Sequence, residues 1–197
     1  KAQKGIYQEY MDEMAVDGKL GQWDDHHNAL DEYLSIDSSR YIMVYQAAAQ
    51  NGKAVIVIDI KAEAVTEFMQ GLNLGDGSIV GFVTAGGREL AVKRNAGDEQ
   101  GTPVEGETIF ADKDFYLQAS ETDGVRQVQY NGTEYLFFHS KSEDTGATMC
   151  ALVPLKVITG QAESIKQITI AGVLISSIIA LLIGTAVTSG IRKNMKR

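Results

Sequence analysis

Two arginines, a histidine and a group of aromatic residues are the side chains in this sequence best suited to hold a small solute. Arg88, Arg126 and His139 supply charge or hydrogen-bonding capacity, and Tyr116, Tyr135 and Phe137 supply rings. A guanidinium with aromatic neighbours can grip a carboxylate through two parallel hydrogen bonds, so capture of a small carboxylate is the chemistry this set suggests. Plain core or edge packing is the alternative role for each residue taken singly. Asp59 is a further candidate, either as a ligand to a solute or as the N-cap of the helix predicted after it, and the cap is the reading taken. The string Asp24-Asp25-His26-His27 carries side chains that can ligate metals. Neighbouring residues on a strand or helix point apart, so at most two of the four could share one ion. A solvated loop or helix start is the expected role, and neither a metal nor another cofactor is expected.

Catalytic patterns are missing. There is no Gly-x-Ser-x-Gly elbow and no phosphate-binding glycine loop, and none of the three histidines stands with a matched nucleophile. The expectation is a protein that is not an enzyme. A net charge of −8, with no basic patch outside the C-terminal tail, argues against nucleic acid as a partner. The single cysteine, Cys150, allows no intrachain disulfide. Its apolar surroundings at 148–153 suit a small buried hydrophobe.

The elements that must position these groups follow from periodicity. Residues 1–16 show helical spacing of Ile6, Tyr10 and Met14, and a second short helical piece is expected at 29–33. Strand-like runs at 41–49 and 53–60 flank Asn51-Gly52, a strong hairpin signal because both residues tolerate positive φ. Residues 61–70 read as a helix with Ala64, Val65, Phe68 and Met69 inward. Strands at 78–84 and 88–93 turn through Gly86-Gly87. Residues 95–108, polar and glycine-rich with Pro103, read as an excursion of the kind that covers binding sites. A short helix at 112–120 presents Phe115 and Tyr116, and three strands follow at 125–130, 133–140 and 147–153. On the second of these, Tyr135, Phe137 and His139 share one face. The expected fold class is α+β: a PAS-like five-stranded antiparallel sheet with flanking helices, followed by a single transmembrane helix.

That last helix is read from residues 167–191, which contain no charged residue. About 20 apolar residues suffice to cross a bilayer core as a helix. Lys166 precedes the run, Arg192, Lys193, Lys196 and Arg197 follow it, and all 26 acidic residues lie at or before Glu163. Basic residues beside a span stay on the cytoplasmic side. The tail is therefore expected inside, with everything before about residue 166 outside the cytoplasm. Gly172, Gly184, Ser176, Ser177 and Ala180 would let a partner helix approach closely. With Lys1 as the first residue and no apolar leader, an upstream part carrying a first span is also expected.

The string Val55-Ile56-Val57-Ile58-Asp59-Ile60 before a helix comes first. Gly81-Phe82-Val83-Thr84-Ala85-Gly86-Gly87-Arg88-Glu89, Tyr130-Asn131-Gly132-Thr133-Glu134-Tyr135-Leu136-Phe137, and Cys150-Ala151-Leu152-Val153-Pro154 before a span follow in that order. Together they resemble the extracytoplasmic Cache sensor domain of bacterial methyl-accepting chemotaxis proteins, in particular the membrane-proximal half of a double Cache domain. The resemblance implies residues 1–60 as a remnant of the membrane-distal subdomain, 61–158 as the membrane-proximal PAS-like domain, 159–191 as juxtamembrane and transmembrane helix, and 192–197 as the start of a cytoplasmic linker. It further implies a homodimer in the cell membrane that senses a small-molecule ligand and reaches cytoplasmic signalling proteins through a further C-terminal region. The sensor region of a histidine kinase or diguanylate cyclase, or a surface-anchored protein-binding module without output, are the alternatives. Relatives that bind amino acids use a Tyr-Arg-Trp-Tyr cluster upstream of an aspartate placed like Asp59. No such cluster precedes Asp59 here.

Overall fold

The computed structural model describes Gly5, residues 8–10, Asp12 and residues 21–27, 29–48, 54–119 and 121–159. Residues 1–154 form one compact unit and 155–197 a second. The charge-free run at 167–191, the basic tail and most of the helix expected at 1–16 lie outside the described residues. Among the described residues, no helix is long and apolar enough to cross a membrane.

Within the first unit the order is β1 (Gln22–Asp24), α1 (Ala29–Leu34), a 3-10 turn (Ser38–Arg40), β2 (Tyr41–Ala48), β3 (Val55–Lys61) and α2 (Ala62–Gln70). Next come β4 (Ile79–Val83), β5 (Glu89–Lys93), β6 (Thr102–Pro103), α3 (Asp114–Leu117), β7 (Asp123–Tyr130), β8 (Thr133–Lys141) and β9 (Thr148–Pro154). Two antiparallel sheets result. One has the order β1-β2-β3, and the other β6-β5-β4-β9-β8-β7. In the larger sheet the first strand, β4, pairs with the last, β9, with Gly81 opposite Cys150. Its five long strands run in the order β5-β4-β9-β8-β7. The five-strand expectation is corrected by β6, two residues of the 95–108 excursion that pair with Val92 and Lys93. Nothing in the periodicity of so short a strand could show it. The excursion is also held down, because Arg94 donates to the carbonyls of Asp98 and Glu99 at 3.0 Å.

Strand alternation puts opposite residues of the larger sheet under different covers. On one face Ile79, Val83, Phe137, Cys150 and Leu152 pack with Phe110, Phe115 and Tyr116 from α3 and the loop before it. On the other, Val80 and Val92 pack with Met69 of α2. Phe110 is wholly buried and lies where a side chain at position 81 would be: a Cβ there would fall 2.3 Å from its ring. Glycine at 81 thus lets the edge of an aromatic ring close on the backbone, and burial of that ring contributes about 2–3 kcal/mol. The loop carrying Phe110 is fixed by Glu89, whose carboxylate accepts from the N–H groups of Ile109 (2.8 Å), Phe110 (3.0 Å) and Ala111 (2.9 Å). Burial, with Glu89 nearby, pushes the Cys150 thiol up to about 12.

The smaller sheet joins the larger through a mixed cluster of Ile42, Met43, Ala62 and Ala147, with Trp23 packed against it. Trp23 also packs against Tyr45, with ring centroids 5.3 Å apart and the rings tilted by 49°. On β3, in contrast, Ile56 and Ile58 are exposed, and β3 is an outer strand of its sheet.

Candidate functional site

A cavity of about 480 Å³ opens between the 3-10 turn, the start of β2 and the β3–α2 junction. Ile36, Ser39, Arg40, Tyr41, Asp59, Lys61 and Glu63 line it. The turn is shaped by Asp37, its N-cap, whose carboxylate accepts from Ser39 N–H at 3.0 Å and Ser39 Oγ at 2.7 Å. Those two bonds hold the Asp37 carboxyl below the usual carboxylate range. The β2–β3 pairing then sets Tyr41 opposite Lys61. Asp59 and Lys61, two apart on one strand, fall on the same side. The wall therefore carries two cations, Arg40 and Lys61, and two carboxylates, Asp59 and Glu63. Such a lining can hold a small polar solute by charge-assisted hydrogen bonds of both signs.

Behind the wall lies His27, 1% exposed. Its Nδ1 is 2.7 Å from Asp31 Oδ1 and its Nε2 is 2.7 Å from Asp59 Oδ1. Tyr41 donates its hydroxyl to Asp31 Oδ2, and burial together with that acceptor raises the Tyr41 pKa. The α2 helix has Lys61, not Asp59, at its N-cap and no side-chain cap bond. Asp59 as helix cap is thus corrected: its carboxylate is taken by an imidazole 32 residues earlier. The solvated-loop reading of Asp24-Asp25-His26-His27 is corrected too. Gln22–Asp24 is a strand, and Asp25 and His27 are buried. Asp25 Oδ2 accepts from Thr84 Oγ1 at 2.7 Å, and Gly86 leaves the room, since a Cβ there would fall 2.3 Å from that oxygen. Adjacent polar residues gave no sequence signal for this, because their partners stand far along the chain. Among the described residues no group of three or more His, Cys, Asp or Glu side chains is placed to hold a metal ion.

Arg88 reaches the same wall from the larger sheet. Its guanidinium donates to the carbonyls of Asp25 (2.7 Å), Ser38 (2.8 Å) and Tyr41 (2.9 Å) and lies 5.4 Å from the Tyr41 ring centre. Its donors are spent on main chain, so it shapes the cavity without lining it.

The remaining sequence candidates gather around α3, away from this cavity. Phe137 is fully buried and packs on Phe115 at 4.9 Å. Tyr135 packs at the edge of the same core. His139 stacks on Phe137 at 5.3 Å and bonds the Glu121 carbonyl through Nε2 at 3.2 Å. Tyr116 donates to Thr148 Oγ1 at 3.4 Å, and burial raises its pKa. Arg126 donates to the Gln118 carbonyl at 3.3 Å. Tyr116 and His139 do share a smaller cavity, about 200 Å³, with Glu121, Lys141 and Thr148. Arg88, Arg126 and Asp59 are not brought into it. A third, apolar groove of about 540 Å³ on the opposite face is lined by Leu72, Leu74, Val125, Phe138 and Met149 among others. Phe110, Phe115, Tyr130 and Phe137 pack together in the core beside α3.

No protein-family model matches the chain, and no curated protein matches it. Solved structures that match part of this chain include the extracellular domain of a protein named as the histidine kinase rpHK1S-Z16. It is 16% identical with a TM-score of 0.41, over 60% of this chain and 48% of that one. The ligand binding domain of Mlp24 with asparagine is 13% identical with a TM-score of 0.38, over 61% of this chain and 47% of that one. This chain spans about half the length of each.

Proposed function

We propose that this chain is the extracytoplasmic sensing region of a membrane receptor, which binds a small polar solute in the cavity between the 3-10 turn and the β3–α2 junction. The observation that carries the reading is the wall of that cavity. Residues 38–41 hold charged and aromatic groups toward a solute, and their main chain is gripped by Arg88 of the larger sheet. A solute that prefers one setting of the wall shifts the sheet with it. The last strand of that sheet leads to helical residues 155–159 and onward to the charge-free run at 167–191. A chemoreceptor that works as a dimer is the form of receptor proposed, with no enzymatic step of its own in this region.

The test is a thermal-shift screen of the full chain in detergent micelles against amino acids, organic acids, purines and amines. A bound solute raises stability by RT ln(1 + [L]/Kd), and Asp59→Asn or Arg40→Ala is expected to abolish the shift. No shift from any of these classes, or a shift untouched by both substitutions, would refute solute binding in this cavity.

A further inference from the structure

We propose that His27 is a positioning residue of this cavity, donating from Nε2 to Asp59 so that the carboxylate is presented to the solute in a fixed orientation. The inference rests on reading the cavity as a solute site. The Asp59 side chain is 41% exposed while its Oδ1 is tethered 2.7 Å from a ring that is itself buried, so one end of the carboxylate is fixed and the rest is free to meet a ligand. The tether is braced from behind. The same ring bonds Asp31 Oδ1 at 2.7 Å, Asp31 accepts from the Tyr41 hydroxyl, and the Tyr41 ring lies 4.5 Å from the imidazole. His27 N–H also points at the Tyr41 hydroxyl, at 3.4 Å.

One run of hydrogen bonds, Asp59–His27–Asp31–Tyr41, therefore begins and ends on the cavity wall and passes through a ring closed to water. Ionised carboxylates only accept, so satisfying both requires a proton on each ring nitrogen. Leaving the Asp31 carboxylate, 16% exposed, unmatched against the buried ring is costly. The arrangement spares the solute the work of ordering Asp59, and preorganisation of that kind appears as affinity.

Two substitutions separate positioning from bulk stability. In His27→Gln the amide nitrogen can stand where Nε2 stood and still donate to Asp59. In His27→Asn the shorter amide can replace Nδ1 toward Asp31 but leaves Asp59 untethered. Isothermal titration of the full chain in micelles with glycine, succinate, adenine and putrescine is expected to show one pattern. The binder keeps its affinity within about threefold in His27→Gln and loses roughly ten- to a hundredfold in His27→Asn and Asp59→Asn. A merely structural His27 would lower the melting temperature of both variants and leave the affinity of the folded protein unchanged. Nitrogen-15 spectra of histidine-labelled chain provide a readout that needs no ligand. With three histidines in the sequence, His27 is assigned by its loss in His27→Gln. A proton on Nε2 is the expected result. A bare Nε2, or equal affinity in His27→Asn and the unsubstituted protein, overturns the proposal. If none of the four compounds binds the unsubstituted protein while Nε2 carries its proton, the solute-site reading has failed and the tether has not.

Discussion

Removing the Glu89 carboxylate is the sharpest perturbation of the larger sheet. Three consecutive N–H groups converge on it, from Ile109, Phe110 and Ala111, at 2.8 to 3.0 Å by their shortest contacts. Ile109 and Phe110 are 2% and 0% exposed, so water cannot readily replace the lost acceptor. Hydrogen bonds to a charged group contribute about 1.5–3 kcal/mol each, and neighbours in one network do not add fully. Glu89→Ala is therefore expected to cost about 3–6 kcal/mol, a large part of the roughly 5–15 kcal/mol that holds a typical domain. With a urea m-value of about 2 kcal/mol/M, the unfolding midpoint falls by roughly 1.5–3 M at unchanged m. Glu89→Gln keeps one accepting oxygen and should lose about half as much. Added acetate should recover part of the Ala loss by occupying the vacated N–H groups. A midpoint within about 0.5 M of the unsubstituted protein for Glu89→Ala would refute the claim that this carboxylate anchors the Phe110 loop.

Other outcomes follow from the same geometry. Gly81→Ala should destabilise by about 1–3 kcal/mol in urea unfolding, because its Cβ collides with the Phe110 ring, and Phe110→Leu should recover part of the loss. Arg88→Ala should speed amide hydrogen exchange at 38–42, and Arg88→Lys should not restore protection, since one ammonium cannot reproduce the fork to three carbonyls. Cys150 gives a pH test. Its thiol is raised by burial to about 12, so the folded state holds its proton more tightly than the unfolded chain. Stability is full below about pH 9 and falls as pH rises toward 12; Cys150→Ala should flatten that limb, and an unchanged alkaline limb would remove Cys150 from it. Ile56→Lys with Ile58→Lys should suppress self-association measured by sedimentation, because β3 exposes an apolar outer strand.

Local pattern carried most of the larger sheet. Alternation along β8 fixed which face receives Tyr135, Phe137 and His139, and Asn131-Gly132 marked the turn before it, where both residues adopt positive φ. The candidate site was less legible. Arg88 reads in sequence as a candidate to hold a small carboxylate or as a packing residue, yet its partners are the carbonyls of residues 25, 38 and 41, and main-chain acceptors leave no trace in side-chain type. His27 stood in a string that suggested solvent, and the residues that meet it, Tyr41 of β2 and Asp59 of β3, stand 14 and 32 residues along the chain. Asp59 had the right character and the wrong partner: a strand-end carboxylate before a helix fits a cap locally, while a tertiary imidazole competes for it and wins.

Amide chemical-shift mapping of the full chain with its strongest thermal-shift binder tests the central claim most directly. Solute binding in the charged cavity predicts shifts concentrated at residues 36–41 and 59–63, with a weaker trail at Thr84 and Arg88 where the wall meets the larger sheet. Shifts confined to 116–121 and 139–148, around the smaller cavity, would contradict it.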